Sequence, residues 1–133
     1  MSTFNLNVVA PAGQILDREV EFAVLPSEEG ELGILANHAP LIAALQAGVI
    51  RYKEEGKENR LAVSGGFVEV VANKASVLAT AAEKADNIDV DRALAAKERA
   101  EQRLKEKTPD VDVLRAEMAL KRAVARLKTV GKL

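Results

Sequence analysis

The first eighty or so residues carry the alternating apolar and polar positions of β-strands. Phe4, Leu6 and Val8 are apolar, while Asn5 and Asn7 between them are polar. Because successive side chains of a strand point to opposite faces, this pattern predicts a first strand with one buried face. Turn-forming residues then recur at short intervals as far as residue 82, which favours a β-sandwich or barrel. These turns fall at residues 11–13, 26–30, 37–40, 54–57, 65–66 and 73–74.

The pattern changes to one typical of helices after Glu83. Neither glycine nor proline occurs between Glu83 and Pro109, and alanine becomes frequent. Alanine has the highest intrinsic helix propensity, whereas glycine and proline interrupt helices. We therefore predict a β domain over residues 1–84 and a helical domain over residues 85–133.

Two helices are predicted in the second domain. The first covers about residues 88–105, with Asn87 as its N-cap, because asparagine side chains accept hydrogen bonds from the free amides of a first turn. The second covers about residues 111–130. The interruption between them is predicted at Thr108, Pro109 and Asp110, and the basic Lys105 and Lys107 suit the C-terminal end of the first helix.

These helices are predicted to form an antiparallel hairpin with a small apolar interface. In the second helix, Val113, Leu120 and Leu127 recur every seven residues. The first helix offers mostly alanines, so closing the hairpin removes little apolar area from water, at about 25 cal/mol per Å². A closed hairpin should be only marginally stable, and a ligand or partner can therefore shift its position. The predicted contact set is Val113, Ala116, Leu120, Ala123, Leu127 and Val130 facing alanines, Ile88, Leu94 and Leu104.

The composition argues against several kinds of function. A net charge of -1 and an aromatic content of 3% provide neither the basic surface nor the stacking platforms of a nucleic-acid-binding protein. Cysteine is absent, which excludes disulfides, thiolate metal sites and a cysteine nucleophile. Residues 1–10 lack the pattern of a signal peptide, and no apolar stretch approaches the roughly 18 residues of a membrane span. We expect a soluble, intracellular protein that does not insert into the membrane.

Catalytic machinery is not visible in the sequence. His38 is the only histidine, and it has no second ligand at metal spacing and no activated serine beside it, so a turn or interface histidine is the preferred interpretation. Ser64 is followed by two glycines but lies within a strand pattern, unlike the strand-turn-helix of a nucleophile elbow. Gly65 and Gly66 are better explained by a bulge or a close approach of two chains.

Charge is divided unevenly between the two predicted domains. Residues 1–84 hold 11 acidic and 7 basic side chains, a net charge of −4, whereas residues 85–133 hold 9 and 12, a net charge of +3. The last 16 residues contain five bases and no acidic side chain. Arg122 and Arg126 lie four apart, and like charges at that spacing repel unless an anion lies near them. The pattern is compatible with an anion-binding face or with a solvated basic surface.

The arginines of the second helix also permit a specific anion pocket with Asp89, Arg92 and Arg99. Arginine binds phosphate through two parallel hydrogen bonds, and a carboxylate can accept a hydrogen bond from an amino group. Asp89 and Arg92 by themselves indicate little, because a helical surface pair three residues apart contributes only about 0.2–0.5 kcal/mol.

Four segments resemble the epsilon subunit of bacterial F-type ATP synthase, and the resemblance covers essentially the whole chain. They are residues 30–35 (GELGIL), 38–41 (HAPL), 64–70 (SGGFVEV) and 88–93 (IDVDRA), the last of which is similar to the ATP-binding stretch of that family. The resemblance implies an α+β fold, in which an N-terminal antiparallel β-sandwich of about ten strands precedes a C-terminal two-helix antiparallel hairpin.

A role in the rotor of the synthase is what the resemblance implies. The sandwich would bind the gamma subunit and the c-subunit ring, with Glu31 and His38 at the rotor interface. The hairpin would either fold onto the sandwich or extend into the catalytic head of alpha and beta subunits, where extension inhibits ATP hydrolysis. The subunit would be non-catalytic and peripheral, on the cytoplasmic face of the cell membrane. The inhibitory contact is assigned to Arg115, Lys121, Arg122, Arg126 and Lys128.

The same resemblance nominates ATP as a regulatory ligand of the closed hairpin. No cofactor is required for the implied role, and a part for Mg²⁺ in binding ATP is left open. A free-standing ATP-sensing module is the alternative function, and an enzyme using His38 is a less favoured third. The residues assigned to the nucleotide are Glu83, Ile88, Asp89, Arg92, Ala93, Arg99, Arg122 and Arg126.

Overall fold

A computed structural model describes residues 2–106, 109 and 111–133 of the chain. Eight strands come first and two α-helices follow, with one 3-10 turn between them. The predicted interruption at residues 108–110, apart from Pro109, and the basic Lys107 lie outside the described residues. The elements are β1 Phe4–Ala10, β2 Gly13–Val20, β3 Phe22–Ser27, β4 Gly30–Leu35, β5 Leu41–Glu54, β6 Lys57–Val71, β7 Lys74–Ala79, β8 Ala82–Lys84, the 3-10 turn Ala85–Asn87, α1 Val90–Glu106 and α2 Val113–Thr129.

The strands form one sheet that folds back on itself into a sandwich. Its order is β2-β1-β7-β6-β5-β3-β4, and β8 pairs with the remaining length of β6. Strand β2 also lies against β5 and β8, to neither of which it is hydrogen-bonded, so the β2 end of the sheet packs over a later part of the same sheet. The core between these layers includes Leu6, Leu25, Ile50, Leu61 and Val68, all fully buried. The predicted fold class, a β-sandwich followed by a helical hairpin, is confirmed.

Two details of the sandwich differ from the sequence prediction. The described residues form eight strands, where about ten were expected, and two of these strands, β5 and β6, are long, with 14 and 15 residues. The sheet is also not wholly antiparallel, since β1 and β7 pair in parallel from Asn5 with Lys74 to Val9 with Leu78. Alternation of buried side chains is the same for both strand directions, so the sequence pattern carried no information about this pairing.

Strand β1 has the predicted half-buried character. Phe4, Leu6 and Val8 are buried, and the polar Asn5 and Asn7 between them are partly exposed.

Gly66 fulfils the predicted requirement for glycine at a close approach of two chains. Its φ angle is +133°, and a Cβ atom at this position would lie 2.0 Å from the carbonyl oxygen of Leu78 on β7. Any other residue would have to displace the β7 backbone. This geometry, within a continuous strand, leaves no support for a nucleophile elbow at Ser64.

Helix α1 begins later than predicted and has a different N-cap. Asn87 ends the 3-10 turn, and Ile88 is extended with φ −85° and ψ 124°. The cap is Asp89, whose Oδ1 accepts a hydrogen bond of 3.1 Å from the Arg92 amide. Helix α2 begins in the same way, because Asp112 Oδ1 accepts a 3.0 Å bond from the amide of Arg115.

The hairpin packs through small side chains, and α2 also rests on β5 and β6. Ala93 and Ala100 of α1 are buried, as are Ala116 and Ala123 of α2. Two members of the predicted contact set, Leu94 and Val113, are exposed and not buried, at 45% and 47%. The sandwich explains the difference, because burial in α2 is concentrated in its second half, where the helix also covers the sheet.

Candidate nucleotide-binding site

A cavity of about 370 Å³ lies where α1, α2 and the end of the sandwich meet. Ligand-binding pockets of proteins span roughly 300–1,000 Å³, so this cavity is of suitable size for a small molecule. Six of the eight residues predicted to bind nucleotide line it, together with Asn87 and Ala96. The full lining is Glu83, Asn87, Asp89, Arg92, Ala93, Ala96, Arg99 and Arg126.

The helix α1 supplies one wall because of the spacing of its residues. Asp89, Ala93 and Ala96 are separated by four and three positions, so they follow one stripe of the helix surface. Because the side chains of the two alanines are short, this stripe leaves room for a ligand. Arg92 and Arg99 flank it, and both are exposed.

The carboxylate of Asp89 has a structural task in this wall. Its Oδ1 caps α1 by accepting from the Arg92 amide, so the side chain is held at the edge of the cavity. A side-chain ion pair of Asp89 with Arg92, which the spacing of three would also allow, is not among the ion pairs of the described residues. The spacing of three suits both arrangements, and the free amides at the start of a helix favour the cap.

An ion pair joins the opposite wall to the sandwich. Arg126 Nε of α2 donates to Glu83 Oε1 of β8 at 2.5 Å, and about one third of each side chain is exposed, 30% and 33%. Glu83 is held beside α2 because β8 pairs with β6, opposite Ala62. The contact therefore links two residues 43 positions apart across the hairpin-sandwich junction.

The charges of the cavity favour an anion. Three arginines and two carboxylates line it, and one arginine is already paired with Glu83. Among the residues that the structure describes, neither Arg92 nor Arg99 has a carboxylate within ion-pair distance. The lining therefore carries a net charge of +1, and two guanidinium groups without ion-pair partners among the described residues suit an anionic ligand such as a phosphate.

Two of the predicted nucleotide residues do not line this cavity. Ile88 is buried, and its amide donates to the Ala85 carbonyl oxygen at 3.2 Å. Arg122 lines a separate cavity of about 370 Å³ with Glu28, Ser64 and Lys121. Arg126 therefore lines the candidate nucleotide cavity, whereas Arg122, one helical turn earlier, lines the separate cavity.

The five residues assigned to an inhibitory contact differ in their accessibility. Arg115, Lys121 and Lys128 are exposed, whereas Arg122 and Arg126 are half-buried. Lys121 and Lys128 also line a crevice of about 640 Å³ between α2 and strands β3 to β5.

The two residues assigned to the rotor interface lie at different ends of β4. Glu31 is near the start of the strand and pairs with Arg51 Nη2 at 3.2 Å. His38 lies three residues after its end, where the ring Nδ1 is 2.7 Å from the carbonyl oxygen of Ala39.

The sequence did not predict an apolar patch on the outside of the sandwich. Ile42, Phe67 and Leu78 are 73%, 59% and 64% exposed, and Val71 is also exposed. Phe67 is directly opposite Leu78 in the β6-β7 pair, so their side chains share a face. The clue was the segment 67–71, in which four of the five residues are apolar. Val68 and Val70 take the buried face, so Phe67 and Val71 must point outward together with Glu69. We call Ile42, Phe67, Val71 and Leu78 the outer apolar face.

Neither a metal-binding cluster nor a membrane span is found in the part of the chain that the structure describes. In residues 2–106, 109 and 111–133, no three His, Cys, Asp or Glu side chains are arranged to hold a metal ion. Neither helix, over the same residues, has the length and apolarity needed to cross a membrane.

Comparison with known proteins identifies the family of both parts of the chain. Residues 3–85 match the model of the ATP synthase delta/epsilon chain beta-sandwich domain, and residues 86–131 match the long alpha-helix domain of the same chain. The ATP synthase epsilon chain of Desulfitobacterium hafniense is 59% identical over 102 residues, which is 77% of each chain. The epsilon chain of Alkalihalophilus pseudofirmus is 54% identical over 104 residues, or 78% of each chain.

A solved structure has the same fold. It belongs to the Euglena gracilis mitochondrial ATP synthase, OSCP/F1/c-ring in rotational state 1, and it aligns with a TM-score of 0.82 and 24% identity over 96% of this chain and 81% of that chain. With the family matches and the bacterial relatives, this establishes that the chain belongs to the ATP synthase delta/epsilon chain family.

Proposed function

We propose that the protein is an epsilon-type subunit of a bacterial F1Fo ATP synthase, a non-catalytic part of the central stalk. The support is the identity of 59% and 54% to bacterial proteins named ATP synthase epsilon chain. Its partners are the gamma subunit, the c-subunit ring and the alpha and beta subunits. The protein is peripheral to the membrane, on its cytoplasmic face.

We propose that the outer apolar face is the surface that binds the gamma subunit. Ile42, Phe67 and Leu78 expose more than half of their surface to water, and clustered exposed apolar groups on a β-sheet are typical of protein interfaces. A free-standing ATP sensor would not require this face, which is why the stalk subunit is preferred to that alternative. Glu31 and His38 remain our candidates for further rotor contacts, with Glu31 facing the c ring.

We further propose that ATP binds the closed hairpin and stabilises it. The observation that carries this proposal is the cavity in which Arg92 and Arg99 lack carboxylate partners among the described residues, beside the small Ala93. Because α1, α2 and β8 all contribute to the lining, a bound nucleotide would favour the packed arrangement over an extended one. A ligand that binds one of two states shifts the equilibrium toward that state by mass action.

The extended hairpin would present the basic face of α2 to the catalytic head. Arg115, Lys121, Arg122, Arg126 and Lys128 would then contact acidic side chains of a beta subunit, which would inhibit ATP hydrolysis. In the closed state Arg126 is bound to Glu83, so the two states compete for that arginine.

Calorimetric titration of the isolated chain with ATP tests the nucleotide site. Arg99→Ala and Arg92→Ala should each weaken binding about tenfold or more, because a charge-assisted hydrogen bond contributes about 1.5–3 kcal/mol. Arg103→Ala is the matched control, since this exposed arginine of α1 does not line the cavity, and it should bind ATP as the unaltered chain does. Equal weakening in all three variants would indicate diffuse charge attraction and would refute a specific pocket.

Co-purification tests the assembly. Phe67→Ser combined with Leu78→Ser should reduce retention of the gamma subunit, whereas Leu114→Ser, an equally exposed apolar site on α2, should not. ATP hydrolysis by complexes lacking residues 88–133 should rise if the hairpin inhibits. Unchanged hydrolysis would remove the inhibitory part of the proposal and leave the structural part standing.

A further inference from the structure

A second arginine crosses the junction between hairpin and sandwich, and it lies outside the nucleotide cavity. Arg60 of β6 extends its Nη1 to the carbonyl oxygen of Lys128, near the end of α2, at 3.0 Å. The two residues are 68 positions apart, so the bond exists only while α2 lies on the sandwich. Arg60 is not among the residues that line the cavity between α1 and α2.

The acceptor lies at an end of a helix that favours a positive charge. Helix α2 closes with Gly131 at φ +75°, whose amide donates to the Lys128 carbonyl oxygen at 3.1 Å, and the Lys132 amide donates to that of Leu127 at 2.8 Å. These two bonds are the Schellman arrangement of a helix C-terminus. The aligned peptide dipoles leave this end partly negative, so the guanidinium of Arg60 adds attraction to the hydrogen bond.

Within the sandwich alone, the position of Arg60 is unfavourable. Arg60 lies directly opposite Arg51 in the β5-β6 pair, and like charges facing each other across strands repel. Arg51 takes the nearby carboxylates, with Glu31 at 3.2 Å and Glu58 at 3.8 Å. Among the described residues Arg60 has no carboxylate at ion-pair distance, and the helix carbonyl is its compensating partner.

We propose that Arg60 is a positioning residue that fastens the closed hairpin to the sandwich independently of nucleotide. It acts on the α2 C-terminus, whereas the Glu83-Arg126 pair and any bound ATP act at the cavity. The inference rests on the proposed mobility of the hairpin and does not require that ATP binds. Loss of Arg60 should therefore favour undocking of α2 both with and without ATP.

Thiol accessibility measures this docking equilibrium even when undocking is rare. The chain has no cysteine, so a single one introduced by Ala125→Cys is a unique reporter. Ala125 is 3% exposed and lines the crevice between α2 and the sandwich, so a thiol reagent reaches it only when α2 moves away. A second reporter, Ala75→Cys, lies in the sandwich core and reports unfolding of that domain.

Arg60→Ala should accelerate labelling at position 125 about threefold to tenfold, which corresponds to about 0.7–1.4 kcal/mol and lies within the range for the loss of one hydrogen bond. Arg60→Lys keeps the charge but loses the fork of donors. Its labelling rate at position 125 should lie between that of the unaltered Arg60 and that of Arg60→Ala. Arg103→Ala is the control and should change nothing. Labelling at position 75 should be the same in every variant.

The result that overturns the proposal is labelling at position 125 that is unchanged in Arg60→Ala, or accelerated equally at position 75. The nucleotide arm is separate. If ATP binds, Arg60→Ala should raise its apparent Kd by no more than the factor by which docking is weakened, because the fraction of competent closed protein falls by at most that factor. Absence of ATP binding would refute the nucleotide site and leave the nucleotide-free comparison of Arg60 variants intact.

Discussion

Leu127 is the one large apolar side chain of α2 that is fully buried, and we predict that closure of the hairpin depends on it. Throughout α2, all of whose residues are described, the buried side chains are Ala116, Ala123, Ala125, Leu127 and Thr129, and only the leucine is large. Leu127 is 0% exposed. Replacing a fully buried leucine by alanine costs about 2–5 kcal/mol, part of it from the cavity left behind. The other fully buried apolar side chains of α2 are alanines, which contribute less apolar area, so this loss should be a large part of what holds the hairpin closed.

Two probes can separate the hairpin from the sandwich in a urea titration of Leu127→Ala. Tyr52 is the only tyrosine, tryptophan is absent, and Tyr52 is buried in the sandwich core, so its fluorescence reports that domain. Far-ultraviolet circular dichroism reports the helices. The helical transition should move to much lower urea, or be lost, while the tyrosine transition stays in place.

Leu114→Ala is the matched control, because it makes the same chemical change on the same helix at a side chain 67% exposed. Such surface substitutions change stability by no more than about 0.5 kcal/mol. If the helical transitions of the two variants coincide, burial of Leu127 does not hold the hairpin closed, and α2 must be docked by other contacts.

Three further predictions concern the sandwich. Gly66→Ala should lower the free energy of unfolding by about 3 kcal/mol or more, since its Cβ would overlap the Leu78 carbonyl oxygen, whereas Gly33→Ala, with open space around it, should cost little in thermal melts. Ala72→Gly should raise that free energy by about 0.5–1 kcal/mol, because Ala72 has φ +50° in the β6-β7 turn, and an unchanged melting temperature would contradict this. Burial, and then the charge of Glu54, raise the pKa of Tyr52 above 10.0. Stability from its neutral form should be present below pH 10.0 and fall as pH rises above it, and Tyr52→Phe should abolish that loss in alkaline urea titrations.

The alternation of apolar residues predicted the elements of the fold better than their arrangement. Strand β1 is half-buried as its sequence indicates, and the change at Glu83 separates strands from helices. The parallel pairing of β1 with β7 was not predictable, because it joins segments nearly seventy residues apart and leaves the period of two unchanged.

The start of α1 shows how tertiary structure chooses among local signals. Asn87 and Asp89 are both good N-cap residues, and sequence alone favoured the first. Asn87 belongs to the 3-10 turn that follows β8, and Ile88 after it is extended. The helix therefore begins after Asp89, which caps it. As the cap, Asp89 accepts a hydrogen bond from the amide of Arg92.

The sequence nominated most of the residues that line the candidate cavity, but it did not show which of them lie together. Six of the eight assigned residues line one cavity, but Arg122 and Ile88 do not. Spacing of four places Arg122 and Arg126 on one stripe of α2 and cannot say which meets Glu83. That is decided by the pairing of β8 with β6, which is a contact between distant parts of the chain.

The polar contacts of the closed hairpin set a condition on any movement of α2. Undocking would separate Arg126 from Glu83 and the Lys128 carbonyl from Arg60, in addition to exposing Leu127. Water compensates an exposed arginine readily, but it does not compensate the lost apolar contact. An extended hairpin is therefore favourable only where a partner offers both an apolar surface for Leu127 and carboxylates for the basic face. The isolated chain should remain closed without ATP, and extension should require the assembled complex.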